Sequence, residues 1–440
     1  MTTPSTPRRV EGISLDPWYN SYADRTAGLS ASEVRALFAV ASRPEVVSLA
    51  GGMPYVSALP QDVLNGSIER VMQEQGPVAL QYGGGQGVGI LREQILDIMA
   101  LEGVRGSADD VVITTGSQQA LDLVTKLFVN PGDVVLAEAP SYVGALGVFR
   151  SYQAEVAHVL MDDEGIIPES LRETIANLRA AGKSIKLLYT IPNFQNPTGV
   201  TMSFARRAEV LEIARSNDIL VLEDNPYGLL HFGTPAPHAM RSLDDDGVVY
   251  LGTFSKTLAP GLRVGWALAP HGIREKLILA AEAAILSPSV FNQLIISEYL
   301  NRTDWMAQIE TFRETYRVRK EAMISALGEY LPKLSWTDPG GGFFVWLNLP
   351  PHLDSKAMLP RAVKELVAYT PGTAFYADGR GGNHIRLSFC YPQPDFIQEG
   401  IRRLATVING ELELLNTFAQ TGPLHLSQRH NVIAPPPNIG

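Results

Sequence analysis

The chain predicts an α/β fold, a mostly parallel sheet with helices on both faces, joined to a smaller α+β domain. Three observations carry this expectation. Short β-branched runs at 111–114, 134–137, 185–190, 219–223, 248–253 and 264–269 read as buried strands. Amphipathic stretches lie between several of them, as at 118–128 and 206–216, and such alternation is the pattern of parallel strands joined by crossover helices. After about residue 300 the rhythm changes to a long charged helical pattern from 304 to about 330, a Gly-rich turn at 338–342, strands at 343–347 and 384–391, and a helix around 394–409.

The domain organisation follows from the same rhythm. Residues 1–60 lack it and are expected to form an arm packing on the smaller domain. The large domain is expected over 61–305 and the small one over 306–420, with 421–440, which holds Pro435, Pro436 and Pro437, as a tail. No internal repeat or low-complexity block interrupts the chain.

Composition excludes several classes. With 440 residues, 45% hydrophobic and 19% charged, the chain can bury two cores and is not disordered throughout. A net charge of −10 offers no electrostatic footprint for nucleic acid, although arginines inside a cleft can still hold small anions. One cysteine, Cys390, excludes an intrachain disulfide and fits a reducing compartment. Arg8 and Arg9 are followed by no apolar run, and the apolar stretch 277–286 is broken by Glu282 and too short for a bilayer. A cytoplasmic protein without membrane or nucleic-acid partners is expected.

In an open parallel sheet ligands sit beyond the carboxyl ends of the strands, and four segments there carry chemistry. Thr253, Ser255 and Lys256 close one strand, with Arg263 shortly after. A lysine there suits an aldehyde-bearing cofactor: its amine forms an imine while the hydroxyls and Arg263 hold a phosphate. Such an amine must be tuned from about 10.4 to roughly 7–8 to act as a base. Alone, this segment reads equally as a loop lysine. Asp224 and Tyr227 end another strand; the carboxylate suits a protonated pyridine nitrogen and the phenol a ring oxygen, or Asp224 is a helix cap. Asn196 lies in a rigid turn with Pro192, Pro197 and Gly199, which alone is a turn signal. Ser117 and Gln118 open a helix, a phosphate cradle or simply an N-terminus. The four together, in one chain and each after a strand, make coincidence untenable.

At these residues, and over roughly 25–410, the chain resembles the pyridoxal-5'-phosphate (PLP)-dependent fold type I aminotransferases of class I/II, closest to the 2-aminoadipate, kynurenine and aromatic group. The segments 48–54, 81–83, 139–143 and 383–388 add to the likeness. The resemblance implies Lys256 as Schiff-base lysine and proton shuttle, Asp224 on the pyridinium nitrogen, and Tyr227 and Asn196 on the ring's phenolic oxygen. It implies Tyr142 stacked on the ring, and Ser117, Gln118, Ser255 and Arg263 on the phosphate. Tyr82 would reach the phosphate of the neighbouring subunit, so a homodimer belongs to the same expectation. Arg386 would clamp the substrate α-carboxylate by a bidentate pair, helped by Asn196 and the backbone near Gly52. Lys256, Tyr227 and Asp224 are thus the expected catalytic residues, and no metal is expected. The implied reaction is ping-pong transfer of an amino group from an L-amino acid to a 2-oxo acid, with 2-oxoglutarate as the expected acceptor.

Substrate choice in such enzymes involves the arm, here about 25–35. Gly28 or Leu29 stands where dicarboxylate-preferring relatives place an arginine. Arg25 or Arg35 either substitutes or is a solvated charge. The expectation is an apolar or aromatic donor, or a 2-aminoadipate-like one.

Rival readings fare worse. The glycine-rich 83–89 lacks the G-x-G-x-x-G spacing and a leading strand, and the Gly-Lys-Ser at 182–184 is no P-loop, since Asn177 stands where its first glycine would be needed. The eight histidines are scattered, with His425 and His430 the one close pair in the tail, which argues against a metal hydrolase. A PLP-sensing regulator would need a DNA-binding module ahead of Gly51. A PLP-dependent lyase on the same scaffold stays open, because the cofactor performs the electron-sink step in both.

Overall fold

The computed structural model describes residues 16–29 and 43–420, so Arg35 and the stretch 421–440 lie outside the described residues. A short strand, Val47–Ser48 (β1), precedes helices Gln61–Ala79 (α1) and Gly89–Ala100 (α2). The alternation then sets in: Val111–Thr114 (β2), Ser117–Phe128 (α3), Val134–Ala139 (β3), Val143–Ser151 (α4), Glu155–Asp162 (β4) and Gly165–Ile166 (β5). Pro168–Ala180 (α5), Ile185–Thr190 (β6), Phe204–Arg215 (α6), Leu220–Asp224 (β7), Val248–Thr253 (β8) and Gly265–Leu268 (β9) complete it.

These strands form one eight-stranded sheet in the order β2-β9-β8-β7-β6-β3-β4-β5. The run from β8 through β7, β6 and β3 to β4 is parallel, while β9 lies antiparallel between β2 and β8, and β5 antiparallel to β4. Every residue of β2 and β8 is buried, which is why these strands read as unbroken apolar runs instead of alternating ones. In α3 the buried Ala120, Leu121 and Val124 recur at helical spacing and turn one face to the sheet. A fully buried leucine contributes roughly 1.5–3 kcal/mol, so covering both faces dominates the stability of this layer.

The expected α/β class and the mostly parallel sheet are what the chain adopts. Strands β4 and β5 were not expected. β4 lies near the sheet margin, with Glu155, Leu160 and Asp162 exposed, so its sequence lacks the buried signature of the central strands.

Helices His271–Ile285 (α7) and Val290–Arg302 (α8) lead to Trp305–Tyr330 (α9). Asp304 caps α9 by accepting from the Ala307 amide at 3.1 Å, the local reason that the helix starts there. The second layer holds Ser335–Trp336 (β10), Phe344–Asn348 (β11), Ser355–Lys364 (α10), Val367–Ala368 (β12), Thr370–Pro371 (β13), His384–Ser388 (β14) and Pro394–Gln420 (α11). Its four-stranded antiparallel sheet runs β10-β11-β14-β13. α11 continues past the expected 409 because the apolar spacing of Ile401, Leu404 and Ile408 extends to the partly buried Leu412 and Leu415. Of the segment expected as an arm, β1 pairs in parallel with β12, whereas the turn Asp24–Gly28 lies against Arg150 of α4.

Candidate active site

The carboxyl ends of the parallel strands open on a cleft of about 380 Å³, within the range of small-molecule sites. Eleven of the residues expected at the site line it: Gly52, Ser117, Gln118, Tyr142, Asn196, Asp224, Tyr227, Ser255, Lys256, Arg263 and Arg386. Tyr82 does not; it is 77% exposed, outside the cleft of its own chain.

Lys256 follows β8 directly. Its Nζ donates to the Gly52 carbonyl at 2.8 Å and lies 5.5 Å from the Phe343 ring centre. Burial, joined by the positive charges of Arg386 and Arg263, brings its amine down to about 8, against the opposing pull of Cys390 and Asp224. That places the amine in the range a proton carrier needs.

Asp224 closes β7 and is 4% exposed. Its Oδ2 accepts from the Tyr189 hydroxyl at 2.9 Å, and burial pushes its carboxyl up to about 6. Its Oδ1 is buried with no hydrogen-bond partner among the described residues. An orphaned buried carboxylate oxygen is costly and asks for a donor from a ligand. Tyr227, buried on the same turn, packs its ring edge-on against Phe343. Burial also raises its phenol well above the ordinary value, so it is a neutral donor.

Asn196 sits in the turn after β6, and its Oδ1 accepts from Arg386 Nη1 at 2.9 Å. Arg386, on β14, also donates from Nη2 to the Ala50 carbonyl at 2.6 Å and to Thr370 Oγ1 at 3.3 Å. Its guanidinium lies 4.2 Å from the Phe344 ring centre and 4.9 Å from that of Phe375. Cation–π contacts and fixed acceptors hold the group in place, while no carboxylate ion-pairs with it among the described residues. Burial lowers it to about 10, and it still carries full charge at neutral pH.

The opposite end of the cleft is cationic and rich in donors. Gly116, at φ +78°, turns the chain from β2 into α3, whose first amides face the cleft at Ser117. Gly265 makes this possible, since a Cβ there would stand 2.5 Å from the Ser117 amide nitrogen. Arg263 adopts a left-handed conformation, φ +50°, donating from Nη2 to the Thr115 carbonyl at 3.1 Å and from Nη1 to Ser255 Oγ at 3.4 Å. Thr253 Oγ1 bonds Ser255 Oγ at 2.9 Å. Tyr142 donates to Gln118 Oε1 at 3.2 Å, which ties the ring beside the cradle.

The cleft thus unites an amine of lowered basicity, a carboxylate with a free oxygen, a fixed guanidinium and a dianion cradle. Those donors and acceptors fit pyridoxal phosphate: an aldehyde for the lysine, a ring nitrogen for Asp224, and a phosphate for the cradle. Sequence reasoning missed Tyr189, Phe343, Phe344, Phe375 and Thr370. Tyr189 sits in an apolar strand run where a core tyrosine is the ordinary reading; of the phenylalanines, all from the second layer, Phe344 lines the cleft while Phe343 lies beside Lys256 and Phe375 beside Arg386. Arg25, exposed at the edge of α4, does not line the cleft.

Fold and cleft together define a PLP-dependent enzyme of fold type I. Residues 45–404 match the family Aminotransferase class I and II. The chain is 41% identical over 410 residues to aromatic-amino-acid aminotransferase 1 of Thermococcus litoralis, covering 92% of this chain and 98% of that one. It is 37% identical to the 2-aminoadipate transaminase of Thermus thermophilus, over 90% of this chain and 99% of that one. A crystal structure of Pyrococcus horikoshii kynurenine aminotransferase superposes with a TM-score of 0.85 at 41% identity, covering 89% and 97% of the two chains. The chain belongs to the class I and II aminotransferase family. It is an amino-group-transferring enzyme whose cofactor is pyridoxal 5'-phosphate.

Proposed function

We propose that this enzyme moves the amino group of an L-amino acid with an apolar, aromatic or 2-aminoadipate-like side chain to 2-oxoglutarate, in two half-reactions at one site. The convergence of Lys256, Asp224 and Arg386 on a single cleft carries the reading. The names of the relatives, acting on aromatic amino acids, 2-aminoadipate and kynurenine, span the same donor range.

When bound, PLP supplies an electron sink for the electron pair left on the substrate's α-carbon. The chain's residues do the rest. Arg386 grips the α-carboxylate with help from Asn196 and the backbone at Gly52, and so fixes which Cα bond points across the ring. Lys256, its amine brought down to about 8, would carry the proton that leaves the substrate's α-carbon. Asp224, with its free Oδ1, would hold the ring nitrogen in its protonated form. Tyr227 and Asn196 would hold the ring oxygen, and Tyr142 would pack against the ring. Ser117, Gln118, Ser255 and Arg263 hold the phosphate, with Tyr82 of a second copy completing the cradle in a homodimer. Residues 61–305 form the cofactor-binding domain and 306–420 the smaller one, with the described residues 16–29 and 43–60 as the arm; the protein works in the cytoplasm.

The test is a half-reaction. Single amino acids are added to the PLP-loaded enzyme without an oxo acid, and the cofactor's absorbance is followed. Conversion with one equivalent of 2-oxo acid released, and return on adding 2-oxoglutarate, is expected. Release of ammonia with no return would overturn the reading in favour of a lyase.

A further inference from the structure

His158 stands on β4, outside the cleft, where two layers of the fold meet. Its Nδ1 lies 2.8 Å from the carbonyl of Glu138 on β3. Its Nε2 accepts from the amide of Ala377 at 2.9 Å. An amide N–H has only a proton to give, so Nε2 must be bare; a carbonyl only accepts, so Nδ1 must carry the ring proton. One neutral tautomer satisfies both contacts. The doubly protonated ring cannot, because it would set an N–H against the Ala377 N–H.

A second strut lies beside this one. The Ser141 amide donates to the Phe375 carbonyl at 2.9 Å. Between the struts Phe375 presents its ring to the Arg386 guanidinium at 4.9 Å, and Thr370, just upstream, accepts from the same guanidinium. The segment that backs Arg386 is therefore pinned to strand β4 at His158 and to the turn after β3 at Ser141.

We propose that His158 is a positioning residue for Arg386: as a single neutral tautomer it latches the 375–377 loop to the sheet, and protonation of its ring opens the latch. The proposal rests on the reading of Arg386 as the substrate-carboxylate clamp. The loop faces the imidazole with Tyr376, 5.5 Å away between ring centres, and with Asp378 and Arg380, while β3 faces it with the backbone carbonyls of Ala137 and Glu138. Burial is the largest influence and, with Arg380, outweighs Asp378 and the carbonyls, holding the ring below its ordinary value. The neutral ring is the latched form, so the latch is intact at neutral pH and lost as pH falls below the histidine range.

The test compares wild type, His158→Gln and His158→Phe as PLP-loaded enzymes. Glutamine can offer an acceptor to Ala377 and a donor to Glu138 without a titrating proton; phenylalanine can do neither. Hydrogen exchange of the peptide covering 372–380, corrected for intrinsic pH dependence, should rise in wild type as pH falls below about 6.5, stay flat in the Gln variant and be high throughout in the Phe variant. KM for the amino donor should follow the exchange, rising roughly fivefold when the latch is lost, with kcat changing less. Identical pH profiles of exchange in wild type and the Gln variant would overturn the latch. An exchange step without a parallel KM step would overturn the positioning role. Failure of every protein to convert any amino acid would sink the functional reading instead, and exchange would still decide the latch.

Discussion

Arg386 Nη1 and Asn196 Oδ1, 190 positions apart in the chain, meet at 2.9 Å in the buried wall of the cleft. The contact joins β14 of the second layer to the turn after β6, so the guanidinium is held from both layers. Arg386→Ala should lower kcat/KM for the amino donor by about 10²-fold, the scale of truncating a buried hydrogen-bonded charge pair. PLP should remain bound, since the phosphate cradle is untouched. Steady-state kinetics with an absorbance check of cofactor content measures this, and an unchanged KM would remove Arg386 from substrate binding.

Lys256→Ala should leave no covalent link between chain and cofactor. Borohydride reduction followed by intact mass measurement is the check: wild type should gain one phosphopyridoxyl group and the variant none. Because the wild-type amine is brought down to about 8, capture of added PLP by the cofactor-free chain should accelerate with a midpoint near there as pH rises, well below the ordinary lysine range.

Asp224 illustrates a conflict between stability and function. Its folded value is raised from 3.8 to about 6 by burial, so the cost of burying its charge is absent at low pH and appears as pH rises through the folded value. The cofactor-free Asp224→Asn variant should therefore be more stable than cofactor-free wild type at about pH 8, by on the order of 2 kcal/mol, and the gap should close near about pH 4. Denaturant titration at the two pH values tests it. With PLP bound the variant should lose about 10²-fold or more in kcat, because the ring nitrogen loses its charged partner.

Tyr82, 77% exposed and away from its own cleft, should matter only through a second copy. Tyr82→Phe should weaken PLP binding severalfold, about the contribution of one hydrogen bond to a charged group, without changing the oligomeric state. Sedimentation should report a dimer for both proteins. A fully active monomer would refute the shared-site expectation.

The chain's local chemistry was legible in the sequence. Lys256, Asp224, Asn196 and Ser117 each follow a strand within a few residues, and strand-end position is set by short-range pattern: an apolar run, then glycine, proline or a hydroxyl. The parallel sheet was legible for the same reason, since its central strands are buried on both faces. Strand β4, next to the sheet margin, was not, because its exposed side dilutes the pattern, and with it went His158. Nor were the bond from Tyr189 to Asp224, the Phe344 and Phe375 rings beside Arg386, or the direct bond from Arg386 to Asn196. Those depend on two layers packing in one relative position, and that position is decided by the burial of whole faces, to which no single stretch of sequence is a guide. The sequence by itself determined which chemically active groups stand at the strand ends; the tertiary structure alone decided what holds them still, because that needs two layers packed in one relative position.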